Sequence, residues 1–423
     1  MSEPSEELSY RALLSVPSYP RAVAGAQLAR IAGQMGAVAM VLFVLTRYHS
    51  AALAGIVVFL SIFPGTLFSP FAGALLDRHG RRRLIILDFA LAFVTLVLIG
   101  VLSLLHLLPV PLLLGLTVVS SITAPLSNVG LRTLYPILVP RRLWERMNAV
   151  DSNGYVVASI IGPPLAGVIV GVAGGEAAII TTGVIIGLGA LVMIGINDPE
   201  TNTSSTGNLL RDAWDGLRYV LRNPTLRGLA ASISIANLAN GAVYIALPVL
   251  IFQRFHQGPP VVGLLYAVSG VAGLFTTTFF GRMNSQGRER AMLAWPQMAL
   301  LVPFAMIAVA PNVYVVGAAL VLFGLLVGPV DIALFTIRQR RTDPAWMGRA
   351  FAVSMSLNFS GVPIGSAIAG PLVGWSIDGT LLLAGACCVV AGIMPLVAIP
   401  ATGDFAEAAT TPPATPPVEA PPV

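Results

Sequence analysis

Two charged residues lie inside long apolar stretches of this chain. Arg30 is within the stretch 22–46 and Asp331 is within the stretch 313–337. If these stretches cross a membrane, each charge costs about 2.5–3.5 kcal/mol at mid-helix, so such a residue indicates a functional site. A carboxylate that an arginine approaches and then leaves can bind and release a proton. We therefore predict that Arg30 and Asp331 are coupled and carry protons. The alternatives are a static pair, or two unrelated side chains that reach the membrane interface.

A short basic turn is the third charged feature. Residues 73–83 read GALLDRHGRRR, with Asp77 and four arginines between two apolar runs. Gly80 permits the chain to reverse, and Asp77 can accept charge-assisted hydrogen bonds from the neighbouring arginines. We expect Gly73 to let its helix pack closely against a neighbour. The turn must face water, and its simplest role is to fix the orientation of the flanking helices.

The composition places these features in a membrane protein. Hydrophobic residues make up 56% of the chain and charged residues 10%, whereas a soluble domain has about 25% charged residues. Apolar runs of about 20 residues recur, which is the length that spans the hydrocarbon of a bilayer. We predict an all-α integral membrane protein with twelve spans: 22–46, 51–76, 84–105, 111–136, 148–173, 176–196, 228–252, 260–281, 291–310, 313–337, 350–374 and 379–400.

The spans divide the chain into two bundles of six. We predict a cytoplasmic segment at 1–21, bundles at 22–196 and 228–400, a central loop with an amphipathic helix at 197–227, and a disordered Pro-rich tail at 401–423. Alternate turns carry the arginines, so the positive-inside rule places both termini in the cytoplasm.

The two bundles also repeat in sequence. Gly36 and the residues after it resemble the segment that begins at Gly241, and the turn at Asp77 resembles the turn at Asn284. The near-constant offset predicts two parallel six-helix repeats related by an axis along the membrane normal.

Several function classes are excluded or disfavoured. All 24 basic residues are arginines, so the lysine of a phosphate-binding Walker A loop is missing. We find no nucleophile–base set and no metal-ligand spacing, so we predict neither an enzyme nor a metal site. The net charge of +5 is explained by arginines in short turns rather than by nucleic-acid binding.

The turn pattern Gly-x-x-x-Asp-Arg-x-Gly-Arg-Arg resembles the signature loop between helices 2 and 3 of the major facilitator superfamily. The resemblance implies a secondary transporter in which this loop latches the two halves. It transfers the latch to the following residues: Gly73, Asp77, Arg78, Gly80, Arg81 and Arg82. The second copy has Asn284 in place of the aspartate, so we expect a weaker latch there.

In this family helices 1, 4, 7 and 10 line a central cavity, so Arg30 and Asp331 are expected to face it. Further candidates for the cavity wall are Gln34, Asn128, Asn237, Asn240, Tyr244, Phe323 and Phe335. Three charged residues near helix ends, Asp88, Arg132 and Asp151, are expected to form an intracellular gate network.

Spans 5 and 11 carry glycines and prolines that resemble the helix-5 motif of proton-driven exporters in this superfamily. The predicted packing residues are Gly154, Gly162, Pro163, Gly167, Gly365 and Gly370. Together with weaker features this resembles the bacterial branch of enterobactin exporters and macrolide efflux proteins.

The resemblance implies a proton-coupled exporter of drug-like or siderophore-like molecules in the bacterial cytoplasmic membrane. Its partners are a small-molecule substrate, protons and membrane lipid, and it is expected to be a monomer without a cofactor, driven by the proton gradient. An importer or facilitator of a metabolite, and a non-transporting membrane sensor, remain as alternatives. Arg30 favours an anionic or catecholate substrate unless Asp331 neutralises it.

Overall fold

The computed structural model describes residues 9–196, 209–280, 287–343 and 346–400, and these residues are helical apart from short connections. Ten helices among them are long and apolar enough to cross a membrane, with residues 141–193 counted once. Spans 1 to 4 are Tyr19–Tyr48, Ala51–His79, Arg81–Leu104 and Val110–Leu138, and spans 5 and 6 together form Trp144–Met193. Span 7 is Pro224–Gln253, span 8 Pro259–Phe280, span 9 Glu289–Ala299 with Leu301–Ala308, span 10 Val313–Arg340, span 11 Met347–Trp375 and span 12 Ile377–Ala398.

The helix Trp144–Met193 is two spans, because it reverses direction at Gly174. Gly174 has a φ of 89°, a left-handed conformation that favours glycine. Both arms pack along span 1. Gly154 and Gly189 lie against residues near one end of span 1, whereas Gly175 contacts Phe43 near the other end. With this reversal, and with span 11, the described helices give the predicted order of twelve spans.

Polar side chains start several spans by capping the first backbone N–H groups. Ser50 Oγ accepts a hydrogen bond from Leu53 N at 3.1 Å, and Asn223 Oδ1 accepts one from Leu226 N at 3.1 Å. Ser376 Oγ accepts one from Gly379 N at 2.9 Å. These caps satisfy donors that the helix itself leaves without a partner, so the turn residues fix where the apolar helices begin.

The two halves make matching contacts at equivalent ends, as the predicted internal repeat leads us to expect. In the first half, Arg47 at the end of span 1 lies 3.8 Å from Glu176 at the start of span 6. In the second half, Arg254 after span 7 forms an ion pair with Asp378 at the start of span 12. Arg47 also contacts His106 Nδ1 at 2.8 Å, and Arg254 donates to the backbone oxygen of Ala308 at 2.6 Å. Equivalent ends of each half are therefore joined in the same way.

The two ends of the bundle differ in how the halves meet. We call the end with the turns 77–83, 137–147 and 338–349 the arginine-rich end. At the opposite end one apolar core contains residues of both halves, including residues 38–45 of span 1 and Leu247 of span 7. At the arginine-rich end each half has its own core, one around Leu134 and one around Ile337. The halves are thus packed together at the opposite end and separate at the arginine-rich end.

A short amphipathic helix, Leu209–Arg222, contacts spans 2, 7 and 11. Tyr219 stacks on Trp346 with ring centroids 5.0 Å apart, and its hydroxyl accepts a hydrogen bond from Asp343 N at 3.1 Å. Asn223 Nδ2 donates to the backbone oxygen of Arg341 at 3.1 Å. The segment between the halves is therefore attached to the turn between spans 10 and 11.

Candidate functional site

A cavity of about 480 Å³ lies between the two halves. This volume is in the range of about 300–1,000 Å³ that is typical of small-molecule sites. Both halves contribute to its wall, the first through spans 1 and 5 and the second through spans 7, 8, 10 and 11. The side chains that give the wall its chemical character are Gln34, Ser159, Asn237, Asn240, Tyr244, Tyr266, Phe323, Asp331 and Phe359.

Among the described residues of this wall, Asp331 is the one that carries a charge. Its side chain is exposed to the open space of the cavity. The structure gives its carboxylate no hydrogen bond or ion pair with any residue that it describes. A carboxylate in apolar surroundings is costly unless a cation, a proton or hydrogen-bond donors satisfy it. Asp331 is therefore available to a ligand or to a proton.

Arg30 does not pair with Asp331 in this structure, and the predicted pair is wrong for this conformation. The Arg30 Nη2 atom bonds to the Asp151 carboxylate, and Nη1 donates to the backbone oxygen of Asp151 at 3.1 Å. The ring of Tyr155 covers the guanidinium at 4.1 Å. Span 5 can come this close because residue 154 is glycine; a Cβ there would lie 2.6 Å from Arg30 Nη1.

The predicted gate network is only partly brought together. Arg132 lies 5.8 Å from the ring of Tyr155, and so stands next to the Arg30–Asp151 pair. Asp88 lies elsewhere; it is 4% exposed and interacts with the hydroxyls of Ser127 and Thr123 on span 4. Asp88 is thus a buried, hydroxyl-bonded carboxylate within the first half.

Two of the predicted cavity residues do not line the cavity. Asn128 is exposed outside it. Phe335 instead packs with Phe351 at 6.1 Å and lies 5.8 Å from the guanidinium of Arg338. Arg338 itself is fully buried, although the sequence suggested that it belonged to a water-facing turn. Its guanidinium lies 4.8 Å from the Phe351 ring, so the aromatic rings stabilise its charge.

Other residues of the cavity wall were missed from sequence. Tyr266 stacks with Tyr244 at 5.8 Å, and Phe359 is 56% exposed on the wall. They lie on spans 8 and 11, which the resemblance did not place at the cavity. The alternation of polar and aromatic residues along these spans gives no signal for which face meets the other half.

The predicted packing glycines lie at close helix crossings. Gly162 faces the backbone of Met35 on span 1, and Gly365 faces Leu238 on span 7. Gly167 and Gly370 lie where the halves meet: Gly167 faces Pro259 on span 8, and Gly370 faces Ala51 on span 2. Pro163 also lies at a close crossing between the halves, because a Cβ at Gly263 of span 8 would lie 2.5 Å from the backbone oxygen of Pro163. These close crossings hold the opposite end of the bundle together.

The basic turn joins spans 2 and 3 at the arginine-rich end. Gly80 has a φ of 86°, so the reversal needs glycine. Arg78 is exposed, whereas Arg81 and Arg82 are half-buried. Asp77 lies in the last turns of span 2, and its side chain is outside the described part of the structure, as is the whole of Asn284. The close packing expected at Gly73 is absent, since a Cβ there would meet no described atom within 4 Å.

Comparisons with known proteins agree on one family. The Major Facilitator Superfamily model matches residues 23–366. The chain is 35% identical over 392 residues to an uncharacterized MFS-type transporter, y4rN, of Sinorhizobium fredii, covering 92% of this chain and 97% of that protein. It is 25% identical to the multidrug efflux pump Tap of Mycolicibacterium fortuitum, with coverage of 78% and 82%.

Two further similarities are to a sequence relative and to a solved structure. The enterobactin exporter EntS of Citrobacter koseri is 25% identical, with 76% of each chain covered. A crystal structure of a mutant of the nucleoside transporter NupG superposes with a TM-score of 0.73, covering 90% of this chain and 99% of NupG at 11% identity. At that identity the likeness concerns the fold alone.

Proposed function

Because this chain belongs to the major facilitator superfamily and is a multi-pass membrane transporter, we propose that it is a proton-coupled exporter of drug-like small molecules. The cavity between the halves is the substrate site. The observation that carries the proposal is Asp331, a carboxylate on the wall of a cavity of about 480 Å³ that pairs with none of the residues the structure describes. Similarity to Tap and EntS, whose names describe efflux and export, supports the outward direction.

Alternating access is the mechanism we propose for the two halves. The halves share one core at the opposite end and have separate cores at the arginine-rich end. If the arginine-rich turns face the cytoplasm, as the positive-inside rule favours, both termini are cytoplasmic and this is the inward-open state. Substrate enters from the cytoplasm or the inner leaflet, and the halves then rock so that the cavity opens on the other side.

In this scheme Asp331 exchanges a proton for substrate. Desolvation makes a bare carboxylate costly, so either a proton or a bound ligand satisfies it, and the two compete for it. Arg30 and Asp151 each have a charged partner in the present state, so we do not assign proton exchange to this pair. We propose that it has a positioning role. It holds spans 1 and 5 of the first half together while the halves move.

The turn at residues 77–83 is the proposed latch of the outward-open state. A Cβ at Gly73 would meet no described atom within 4 Å in the present state, so we propose that a helix of the other half packs here only in the outward-open state. We expect Asp77→Asn to lower the transport rate more than any replacement of Asn284. Equal effects of the two changes, measured as initial transport rates at matched expression, would remove the latch from the proposal.

Proteoliposomes test the proposed function. Proteoliposomes that contain the purified wild-type chain are loaded with a fluorescent drug such as ethidium, and we expect them to release the drug when a pH gradient is imposed. Asp331→Asn is expected to lose the response to the gradient, while counterflow exchange persists at substrate concentrations high enough to offset weaker binding. Asp378→Asn, an acid outside the cavity, is the matched control. Gradient-driven transport that survives in Asp331→Asn refutes the coupling role, net accumulation in the reverse direction indicates an importer, and the absence of counterflow in the wild type indicates a non-transporting protein.

A further inference from the structure

The charge balance of the cavity identifies the sign of its ligand. Asp331 is negative and, among the described residues, has no cationic partner. The arginine expected to neutralise it, Arg30, is already held by the carboxylate and backbone oxygen of Asp151 and by the ring of Tyr155. An anionic ligand would therefore meet the carboxylate of Asp331 without any compensating positive charge from the wall.

Two amides of the wall, Asn237 and Asn240, also offer an acceptor to a ligand that carries donors. Asn237 Nδ2 already donates to the backbone oxygen of Asn358 at 2.8 Å, and Asn240 Nδ2 donates to Asn237 Oδ1 at 3.1 Å. Each of these amides thus has one N–H donor engaged within the protein, whereas the amide oxygen of Asn240 accepts no hydrogen bond from the described residues. This oxygen and the carboxylate of Asp331 are acceptors on the same cavity wall, which suits an N–H group or an ammonium.

Aromatic rings supply the rest of the recognition. Tyr244 and Tyr266 form a stacked pair at 5.8 Å, and Phe323 and Phe359 lie on the same cavity wall. A cation over the face of such a ring is attracted by the negative charge of the ring face, most strongly where water is excluded. The same rings cover the apolar body of a ligand, so charge and hydrophobic contact are satisfied together.

From these groups we infer that the cavity binds lipophilic organic cations, either protonated amines or quaternary onium ions, with the positive centre at Asp331. The inference rests on the proposed function, because it takes this cavity as the substrate site. It replaces the anionic preference that Arg30 suggested from sequence. Binding of the cation and binding of a proton at Asp331 exclude each other, so one carboxylate gives exchange of one positive charge for another.

Equilibrium binding to the purified full-length chain in lipid nanodiscs tests the inference without any transport step. Tetraphenylphosphonium and tetraphenylborate have nearly the same size and shape and opposite charge. We expect the wild type to bind the cation at least tenfold more tightly than the anion, and to lose cation affinity as the pH is lowered. Asp331→Asn is expected to bind the cation at least tenfold more weakly, with little dependence on pH.

Asp378→Asn serves as the control, because Asp378 is an exposed acid paired with Arg254 outside the cavity. It is expected to bind both ions as the wild type does. Matched elution from size-exclusion chromatography and matched thermal midpoints establish that Asp331→Asn is folded. Rhodamine 6G, a cation of different shape, repeats the measurement.

The inference is overturned if tetraphenylborate binds as tightly as both cations, or if folded Asp331→Asn retains the wild-type cation affinity. Failure of the proposed function looks different. A chain that binds cations through Asp331 but does not move them under a pH gradient would leave the cavity assignment intact and refute only the coupled export.

Discussion

The ion pair between Arg30 and Asp151 predicts a large and specific loss of stability. Its side chains are 7% and 19% exposed, so the pair is largely shielded from water. Removing one partner of a buried pair costs about 3–5 kcal/mol, because the other charge is left without compensation. In Asp151→Asn the arginine keeps the backbone oxygen at 3.1 Å and the Tyr155 ring at 4.1 Å. We therefore expect the low end, about 3 kcal/mol.

The chain contains its own control for this measurement. Arg254 and Asp378 are 32% and 47% exposed, and an exposed ion pair contributes about 0–1 kcal/mol. Asp378→Asn should therefore cost at least about 2 kcal/mol less than Asp151→Asn. That difference corresponds to roughly a thirtyfold change in the unfolding equilibrium. Reversible unfolding in detergent micelles titrated with sodium dodecyl sulfate, followed by circular dichroism, measures both variants on the same scale.

A double variant separates the pair from its two members. Arg30→Gln with Asp151→Asn removes both charges, so no unpaired charge remains in the bundle. We expect it to be more stable than the sum of the two single losses implies, with a coupling energy of about 1–3 kcal/mol. The reasoning is refuted if Asp151→Asn costs no more than Asp378→Asn, or if the losses simply add.

Three further predictions concern the packing of the helices. A Cβ at Gly365 would lie 2.1 Å from the backbone oxygen of Leu238, whereas a Cβ at Gly374 would meet no described atom within 4 Å. Gly365→Ala should therefore destabilise the chain by about 1–3 kcal/mol in the same unfolding assay. Gly374→Ala should be neutral or stabilising, and equal effects would contradict the close crossing. A Cβ at Gly263 would lie 2.5 Å from the backbone oxygen of Pro163 in the other half, so Gly263→Ala should separate the halves at the opposite end. Double electron–electron resonance between spin labels at the exposed positions Leu107 and Gln257 would then show a longer distance. An unchanged distance distribution would contradict the close packing of the halves at this end. Tyr219→Ala should speed hydrogen exchange in the helix Leu209–Arg222, because it removes the stack on Trp346 and the bond to Asp343 N. Replacing Trp214, which is 65% exposed, should leave the exchange rate of that helix as it is in the wild type.

Most of the fold was predictable because a membrane imposes simple rules on a sequence. Helices that cross hydrocarbon need about 20 apolar residues, so the apolar runs predict the spans. The capping residues Ser50 and Ser376 lie close to the predicted starts of spans 2 and 12, whereas span 7 starts earlier than predicted, at Pro224 after the cap Asn223. The reversal at Gly174 falls between the predicted spans 5 and 6, because the apolar run on each side is long enough to cross the membrane once. What could not be predicted was which faces of the helices meet. Tyr266 and Phe359 line the cavity because spans 8 and 11 pack against helices of the other half, and no periodicity in the sequence indicates that contact.

Arg30 shows most directly what sequence and structure each decide. The sequence by itself determined that Arg30 and Asp331 are costly charges within apolar spans, that the chain has two repeated halves, and that its basic turns share one end. Only the tertiary structure decided the partner of each charge, because a salt bridge depends on a few ångströms between helices that are distant in the chain. Asp151 is 121 residues from Arg30, and the glycine at position 154 brings the two together. That pairing leaves Asp331 without a cationic partner among the described residues and so changes the expected sign of the ligand from negative to positive.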